Sequence, residues 1–261
     1  MTNSFRKILA RLNRAALMMT LPVAVACGTE GNPSPFEPTE PVGRVRLVNL
    51  ITDAPRSVVN ASLAGVVFTV NLANGQSAPA NLPAPAAGTY SPVYAGNREF
   101  VLKRTADTAV VVATLPFSIA GDEDRTVYAI GGSGGSAVTG VTTADVNPAP
   151  VAGETRLRVA NMSTNAGSVD VFVTAAGADL ATATPRATAV ASRTASAYFV
   201  VPAGSYVVRL VPAGTAPANR AAAVTFTSAA TAFAGGTGRT ILIADAANGA
   251  TPLRSFILTD R

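Results

Sequence analysis

In the C-terminal half of the chain, apolar residues recur at every second position. Val169, Val171 and Val173 alternate with Ser168, Asp170 and Phe172, and Tyr206, Val208 and Leu210 alternate with Val207 and Arg209. A period of two belongs to a strand, whose successive side chains leave opposite faces. Pro202-Ala203-Gly204 between two β-rich runs predicts a hairpin turn. Short apolar runs at 223–227, 240–244 and 255–259, with the run opening at Arg156, bring the count to about six or seven strands. Alanine is abundant, but Gly, Pro and Thr interrupt it before a helical stripe can form. The expectation is all-β, with no helix beyond the first thirty residues.

The same order of features occurs twice. Arg44-Val45-Arg46-Leu47-Val48-Asn49-Leu50 returns as Arg156-Leu157-Arg158-Val159-Ala160-Asn161-Met162. Ala95-Gly96 returns as Ala203-Gly204, Arg125-Thr126 as Arg239-Thr240, and the closing Asp145 as Asp260. The spacing between partners stays nearly constant, so the chain reads as a duplicated unit. The expected organisation is a first β-sandwich repeat over 42–148, a linker at 149–153 and a second repeat over 154–261. Each repeat has the size of an independently folding domain.

The N-terminus follows a different pattern. Arg6, Lys7, Arg11 and Arg14 precede an apolar run over residues 15–26, and no acidic residue occurs before Glu30. A basic lead, a short apolar stretch and the small-x-small tripeptide Ala24-Val25-Ala26 match a secretory signal over 1–26. The apolar run is too short to span a bilayer, which needs about 20 residues. Cys27 follows the tripeptide directly, as in a bacterial lipobox, although Ala24 stands where Leu is more usual. Cys27 is the chain's single cysteine and the expected lipidation site, and several acyl chains on one residue would anchor stably. Gly28 after it, rather than Asp, fits release from inner-membrane retention. Residues 27–41, with prolines at 33, 35, 38 and 41, read as a lipidated cysteine and a Pro-rich tether.

Composition then narrows the chemistry. The chain has no His, no Trp and one Cys, which removes imidazole-based catalysis, imidazole metal sites, internal disulfides and thiolate zinc clusters. The formal charge of +5 falls to +1 once 1–26 is removed, because that segment holds four basic residues and no acidic one. Lys103 is then the only lysine. A strongly basic domain, the usual mark of nucleic-acid binding, is not present.

The repeat resembles the bacterial domain of unknown function 4397. The similarity rests on Arg156 to Asn161, on the Ser168 to Val173 strand, on the Tyr198 to Tyr206 segment and on the closing Leu258 to Asp260. In the first copy Asp53-Ala54-Pro55 fits the family's opening loop. Tyr94 replaces the hairpin proline there, and Arg98 stands where the second copy has Tyr206. The resemblance implies two tandem immunoglobulin-like or transthyretin-like β-sandwich domains, on a secreted or surface-attached lipoprotein, and no established reaction.

Candidate chemistry elsewhere is thin. Asp122-Glu123-Asp124 could hold a hard cation, but the second copy has Gly235-Gly236-Thr237-Gly238 at that place, so a solvated turn is the expectation. Asp53 and Asp170 occupy non-equivalent positions, and Asp53 reads as a turn former matched by Asn165. Gly131-Gly132-Ser133-Gly134-Gly135 lacks the Lys-Ser/Thr and the helix of a phosphate loop and reads as a hairpin loop. Lys103 has no serine motif beside it and reads as an exposed strand-edge charge. The low-complexity stretches 76–91 and 182–197 fall at equivalent places and read either as a partner-facing rim or as linker. No catalytic, cofactor or metal residue is assigned.

The functional expectation is a non-catalytic envelope lipoprotein at the outer membrane or cell surface, or secreted if Cys27 is not acylated. Its tandem modules would act as spacer or interaction domains. Its partners would be the membrane, through the lipid, and an envelope or extracellular protein or glycan, with no nucleic acid. The alternatives are a carbohydrate- or peptide-binding module using Tyr90, Tyr94, Tyr198 and Tyr206, and, third, a secreted hydrolase.

Overall fold

A computed structural model describes residues 40–79, 89–146, 148, 150–249 and 252–260. The signal segment, Cys27, most of the tether and the middle of the 76–91 stretch lie outside the described residues. The N-terminal half contributes β1 (Val42–Ile51), β2 (Val58–Leu63), β3 (Val66–Ala73), β4 (Gln76–Ala78), β5 (Ser91–Tyr94), β6 (Gly96–Arg104), β7 (Asp107–Ile119), β8 (Asp124–Gly131) and β9 (Val138–Ala144). The C-terminal half contributes β10 (Glu154–Asn161), β11 (Val169–Thr174), β12 (Ala187–Val190), β13 (Thr194–Ala195), β14 (Phe199–Pro202), β15 (Gly204–Pro212), β16 (Phe226–Thr227), β17 (Thr231–Phe233), β18 (Thr237–Ala244) and β19 (Arg254–Thr259). Among the described residues the only helical pieces are three short 3-10 turns. The strands outnumber the sequence expectation because several runs are split between sheets.

Each half is a β-sandwich. In the first, a sheet ordered β4-β1-β8-β9, with β5 also on β1, faces a sheet ordered β3-β2-β6-β7. In the second, β13-β10-β18-β19, with β14 also on β10, faces β12-β11-β15-β16, with β17 also on β15. In both halves the opening strand runs parallel to a late one. Val48 of β1 lies beside Tyr128 of β8, and Ala160 of β10 beside Leu242 of β18.

Period-two alternation explains why β1 and β10 are so heavily apolar. The odd positions Val45, Leu47 and Ile51 of β1 and Val127 and Ala129 of β8 enter the first sandwich's core. The odd positions Leu157 and Val159 of β10 and Ile241 and Ile243 of β18 enter the second's. The even positions point the other way and are buried as well. Val48, Leu50, Tyr128, Ile130, Ala160, Met162, Leu242 and Ala244 form a third core, between the two halves. The layers therefore run sheet, core, sheet, joint, sheet, core, sheet. Strands buried on both faces read as near-continuous apolar runs, and in β1 every residue from Val45 to Ile51 is buried. At about 1.5–3 kcal/mol per large apolar side chain buried, the joint contributes on the order of 10 kcal/mol before ordering costs. That holds the halves docked rather than swinging on a linker.

Asn49 and Asn161 place an amide on the core-facing side. Asn49 Nδ2 donates to the carbonyls of Ser57 and Leu72 at 2.9 and 2.8 Å, and Asn161 Nδ2 to those of Gly167 and Val190 at 2.9 and 3.2 Å. Each amide pins the loop after its strand to the sandwich edge.

Three sequence expectations are corrected. Pro202-Ala203-Gly204 is not a hairpin: β14 pairs with β10 and β15 with β11, so the chain crosses there from one sheet to the other. The equivalent crossing at Tyr94-Ala95-Gly96 uses different side chains for one contact. Tyr206 Oη donates to the carbonyl of Pro202 at 2.9 Å, and Arg98 Nε donates to that of Tyr94 at 2.9 Å. Lys103 does not sit at a sheet edge, since β6 lies between β2 and β7; it is exposed on the outer face. Residues 182–197 are not a plain linker, because β12 and β13 within them close the edges of two facing sheets.

Candidate functional site

The densest ionisable chemistry among the described residues lies inside the joint. Arg46 on β1 and Arg158 on β10 occupy even positions and so project away from their own sandwiches. Each crosses to the strand end of the other half. Arg46 Nη2 donates to Asp260 Oδ1 at 2.8 Å and Nη1 to the carbonyl of Thr259 at 2.7 Å. Arg158 Nη2 donates to Asp145 Oδ1, and its Nη1 to the carbonyl of Ala144 at 3.2 Å. Asp145 also stands 3.6 Å from Arg46. Each aspartate is held in place by its own half: Asp145 accepts from Thr126 Oγ1 and from Tyr90 Oη at 2.8 Å. Asp260 accepts from Thr240 Oγ1 at 2.6 Å and from Tyr198 Oη at 3.0 Å. The two tyrosine rings lie against the guanidiniums, Tyr90 at 4.6 Å from Arg46 and Tyr198 at 4.8 Å from Arg158.

Two cations and two anions cancel in a nearly water-free layer, with side-chain exposure of 2% or less for all four. Burial works against both guanidinium charges. Around Arg46 the attraction of Tyr90, Asp260 and Asp145 outweighs it, and around Arg158 that of Asp145 does so first, so both arginines are held above their ordinary value. Burial pushes the phenols of Tyr90, Tyr128 and Tyr198 above the usual tyrosine range. Tyr128 is fully buried in the joint where the other half has Leu242, and its hydroxyl lies beside Thr143 without a well-formed hydrogen bond. The arrangement binds charge to charge, although Asp145 also borders a cleft that it shares with Asp122, Glu123 and Asp124. Its chemistry is that of a lock.

The sequence residues singled out earlier fall elsewhere. Asp124 pairs with Arg44 at 2.7 Å and Glu123 with Arg125, while Asp122 is exposed; among the described residues no acidic group is arranged to hold a metal ion. Asp53 pairs with Arg56 at 2.7 Å within its turn. Asp170 is buried in β11, where it accepts from the backbone N–H of Ala189 and of Gly214 at 2.9 and 3.3 Å. Gly131 to Gly135 link the antiparallel strands β8 and β9. There Gly132 has φ +92°, and a Cβ on it would stand 2.2 Å from Asp53 Oδ1. Of the four tyrosines proposed as a sugar platform, Tyr90 is buried and Tyr198 and Tyr206 are half-buried, while Tyr94 is 57% exposed.

Three clefts lie in or near the joint, and one of them, of about 340 Å³, is lined by Arg44, Asp122, Glu123, Asp124 and Asp145. Another, of about 200 Å³, opens at the end of the joint between Leu50, Thr52, Met162 and Thr164, with Arg193 and Asp245 at the wall. The third, also of about 340 Å³, runs along residues 186–199 between the edges of the second sandwich's two sheets.

Residues 43–172 match the profile described as "Domain of unknown function (DUF4397)". Over this stretch the chain is similar to the DUF4397 family. The DUF4397 segment begins at Gly43 in β1 and ends at Phe172 in β11, so it carries both Arg46 and Arg158 of the joint. No curated protein is similar to the chain. Among solved structures, a leucine-rich repeat protein from Bacteroides thetaiotaomicron VPI-5482 is similar at 14% identity over 80% of this chain and 26% of that one. Its TM-score of 0.18 carries no argument.

Reasoning from sequence missed the joint, although the signal was present. Arg46 and Arg158, Thr126 and Thr240, Asp145 and Asp260 stand in the landmarks that align the repeat. A polar side chain recurring inside a doubly apolar strand marks a buried partner.

Proposed function

We propose that the mature protein is a non-catalytic cell-envelope lipoprotein, anchored through Cys27, in which two tandem DUF4397 copies form one stiff spacer with an interaction surface. One observation carries this reading: the densest ionisable cluster among the described residues is consumed in locking the halves together, and Asp124 and Glu123 of the acidic turn are paired with Arg44 and Arg125. An enzyme of acid–base type would keep such groups at a cleft, where they can reach a substrate. The matching sheet orders of the two halves support the tandem organisation. The tether of 27–41 would carry the spacer away from the outer membrane or the cell surface.

A second reading, a peptide-binding module, is favoured by the edge cleft at 186–199. The carbohydrate version lacks aromatic platforms, since Tyr90 and Tyr198 are committed to the joint.

Radiolabelled palmitate tests the anchor. Label is expected in the wild-type protein in the membrane fraction and absent from Cys27→Ser, which should be released in soluble form. Equal labelling of both, or a soluble unlabelled wild type, rejects the lipoprotein reading.

A further inference from the structure

From Leu180 to Ala244 the chain contains no acidic residue and five arginines. Three of them, Arg209, Arg220 and Arg239, are engaged by Thr174 and the Ala178 carbonyl, by the carbonyls of Leu180 and Ala183, and by Thr259. The other two, Arg186 and Arg193, are exposed, and their guanidiniums make no hydrogen bond or ion pair. Among the described residues every other arginine has one or a hydrogen-bonded partner. Arg186 lines the wall of the 340 Å³ cleft at residues 186–199, and Arg193, in the turn between β12 and β13, stands beyond that cleft's lining, on the wall of the neighbouring 200 Å³ cleft. The 186–199 cleft runs between two sheet edges. β12 pairs on one side only, with β11, and β13 and β14 only with β10. Its walls are small side chains such as Ala187, Thr188 and Ala195, which leave the backbone within reach.

We propose that this edge cleft docks an extended acidic peptide segment of a partner protein, paired along the strand edges and read by Arg186 and Arg193. Strand addition at a free edge supplies main-chain hydrogen bonds, and the flanking charges supply selection and steering. A peptide fits better than an acidic glycan because the cleft offers no open aromatic face. Tyr198 Oη is held by Asp260, its ring lies beneath Arg158, and Phe199 packs into the sandwich core. The proposal deepens the interaction-module part of the function proposed above and does not depend on the lipid anchor.

The test is fluorescence anisotropy of the full-length chain in detergent with a fluorescein-labelled peptide alternating glutamate and threonine. Saturable binding is expected, weakened roughly tenfold by Arg186→Glu and by Arg193→Glu and lowered by salt. Lys103→Glu changes the net charge equally at another exposed, unpartnered cation and is expected to leave binding unchanged. All three side chains are exposed, and matched unfolding midpoints would verify that the fold is intact. Absence of binding overturns the proposal, as does an equal loss in Lys103→Glu. Tighter Arg186-dependent binding of polygalacturonate or of phosphatidylglycerol vesicles than of the peptide overturns the peptide assignment. Palmitate labelling is unaffected by any of these outcomes, so failure here is distinguishable from failure of the anchor.

Discussion

Replacing Arg46 with methionine isolates the lock. Methionine roughly keeps the aliphatic length, so the cavity contribution stays small. What disappears is the bond to Asp260 at 2.8 Å, the bond to the Thr259 carbonyl at 2.7 Å and two bonds to Thr126 Oγ1 at 2.9 and 3.1 Å. Asp260 keeps Thr240 and Tyr198 but loses its cation while remaining 4% exposed. Breaking a buried pair in this way costs about 3–5 kcal/mol, against about 0–1 kcal/mol for an exposed one. Urea unfolding followed by circular dichroism gives the magnitude. The location of the effect is the sharper readout. Arg46 belongs to the N-terminal half, but its partners are Thr259 and Asp260, so faster amide hydrogen exchange is expected in β18 and β19 of the other half. Two sandwiches that were merely strung together would confine the change to residues 42–146. A loss below about 1 kcal/mol, or exchange altered only in the N-terminal half, would refute the exchanged-pair reasoning.

Three further outcomes follow from the same geometry. Tyr90, Tyr128 and Tyr198 are raised above the usual tyrosine range by burial, so the unfolded chain releases their protons first. Stability should be flat with respect to them below about pH 10 and then fall by up to about 4 kcal/mol per pH unit, read as an alkaline unfolding transition coincident with the 295 nm tyrosinate signal. Tyr128→Phe removes a hydroxyl that makes no well-formed hydrogen bond and should be neutral or stabilising by about 1 kcal/mol in urea melts, whereas a clear loss would mean that Thr143 satisfies it. Gly132→Ala places a Cβ against Asp53 at positive φ and should cost at least about 1 kcal/mol, measured as a lowered thermal midpoint, while the same change at Gly134, which has open space around it, should cost less.

The fold was legible wherever one periodicity had one meaning. The alternation at Val169, Val171 and Val173 marked a strand whose valine face enters the core, although Phe172 on its other face is buried as well, with Leu180 and Val211, and the duplicated landmarks located the opening and closing strands of both halves. The crossing at Pro202-Ala203-Gly204 was not legible as such. A turn signal fixes where the chain bends, but the partner of each flanking strand depends on long-range pairing. Tyr206 and Arg98 show the same limit from the other side. The two side chains share no chemistry in sequence terms, yet each donates to the carbonyl four residues before it.

The joint was hidden for a related reason. Alternation separates two faces of a strand but says nothing about what lies opposite each face, and Leu47-Val48-Asn49-Leu50 supplies apolar residues to both. An arginine inside such a run has two readings: an exposed face with a charge on it, or a buried face with an anion waiting. The sequence held the discriminating fact in its far members. Asp145 and Asp260 close the two repeats at matched positions, and one carboxylate per arginine is what a neutral buried layer requires. Their partners are exchanged between the halves, so an alignment of one copy on the other superposes Arg46 with Arg158 and Asp145 with Asp260 but never brings a cation to its own anion. Only a fold that sets the two opening strands back to back converts that repetition into contact.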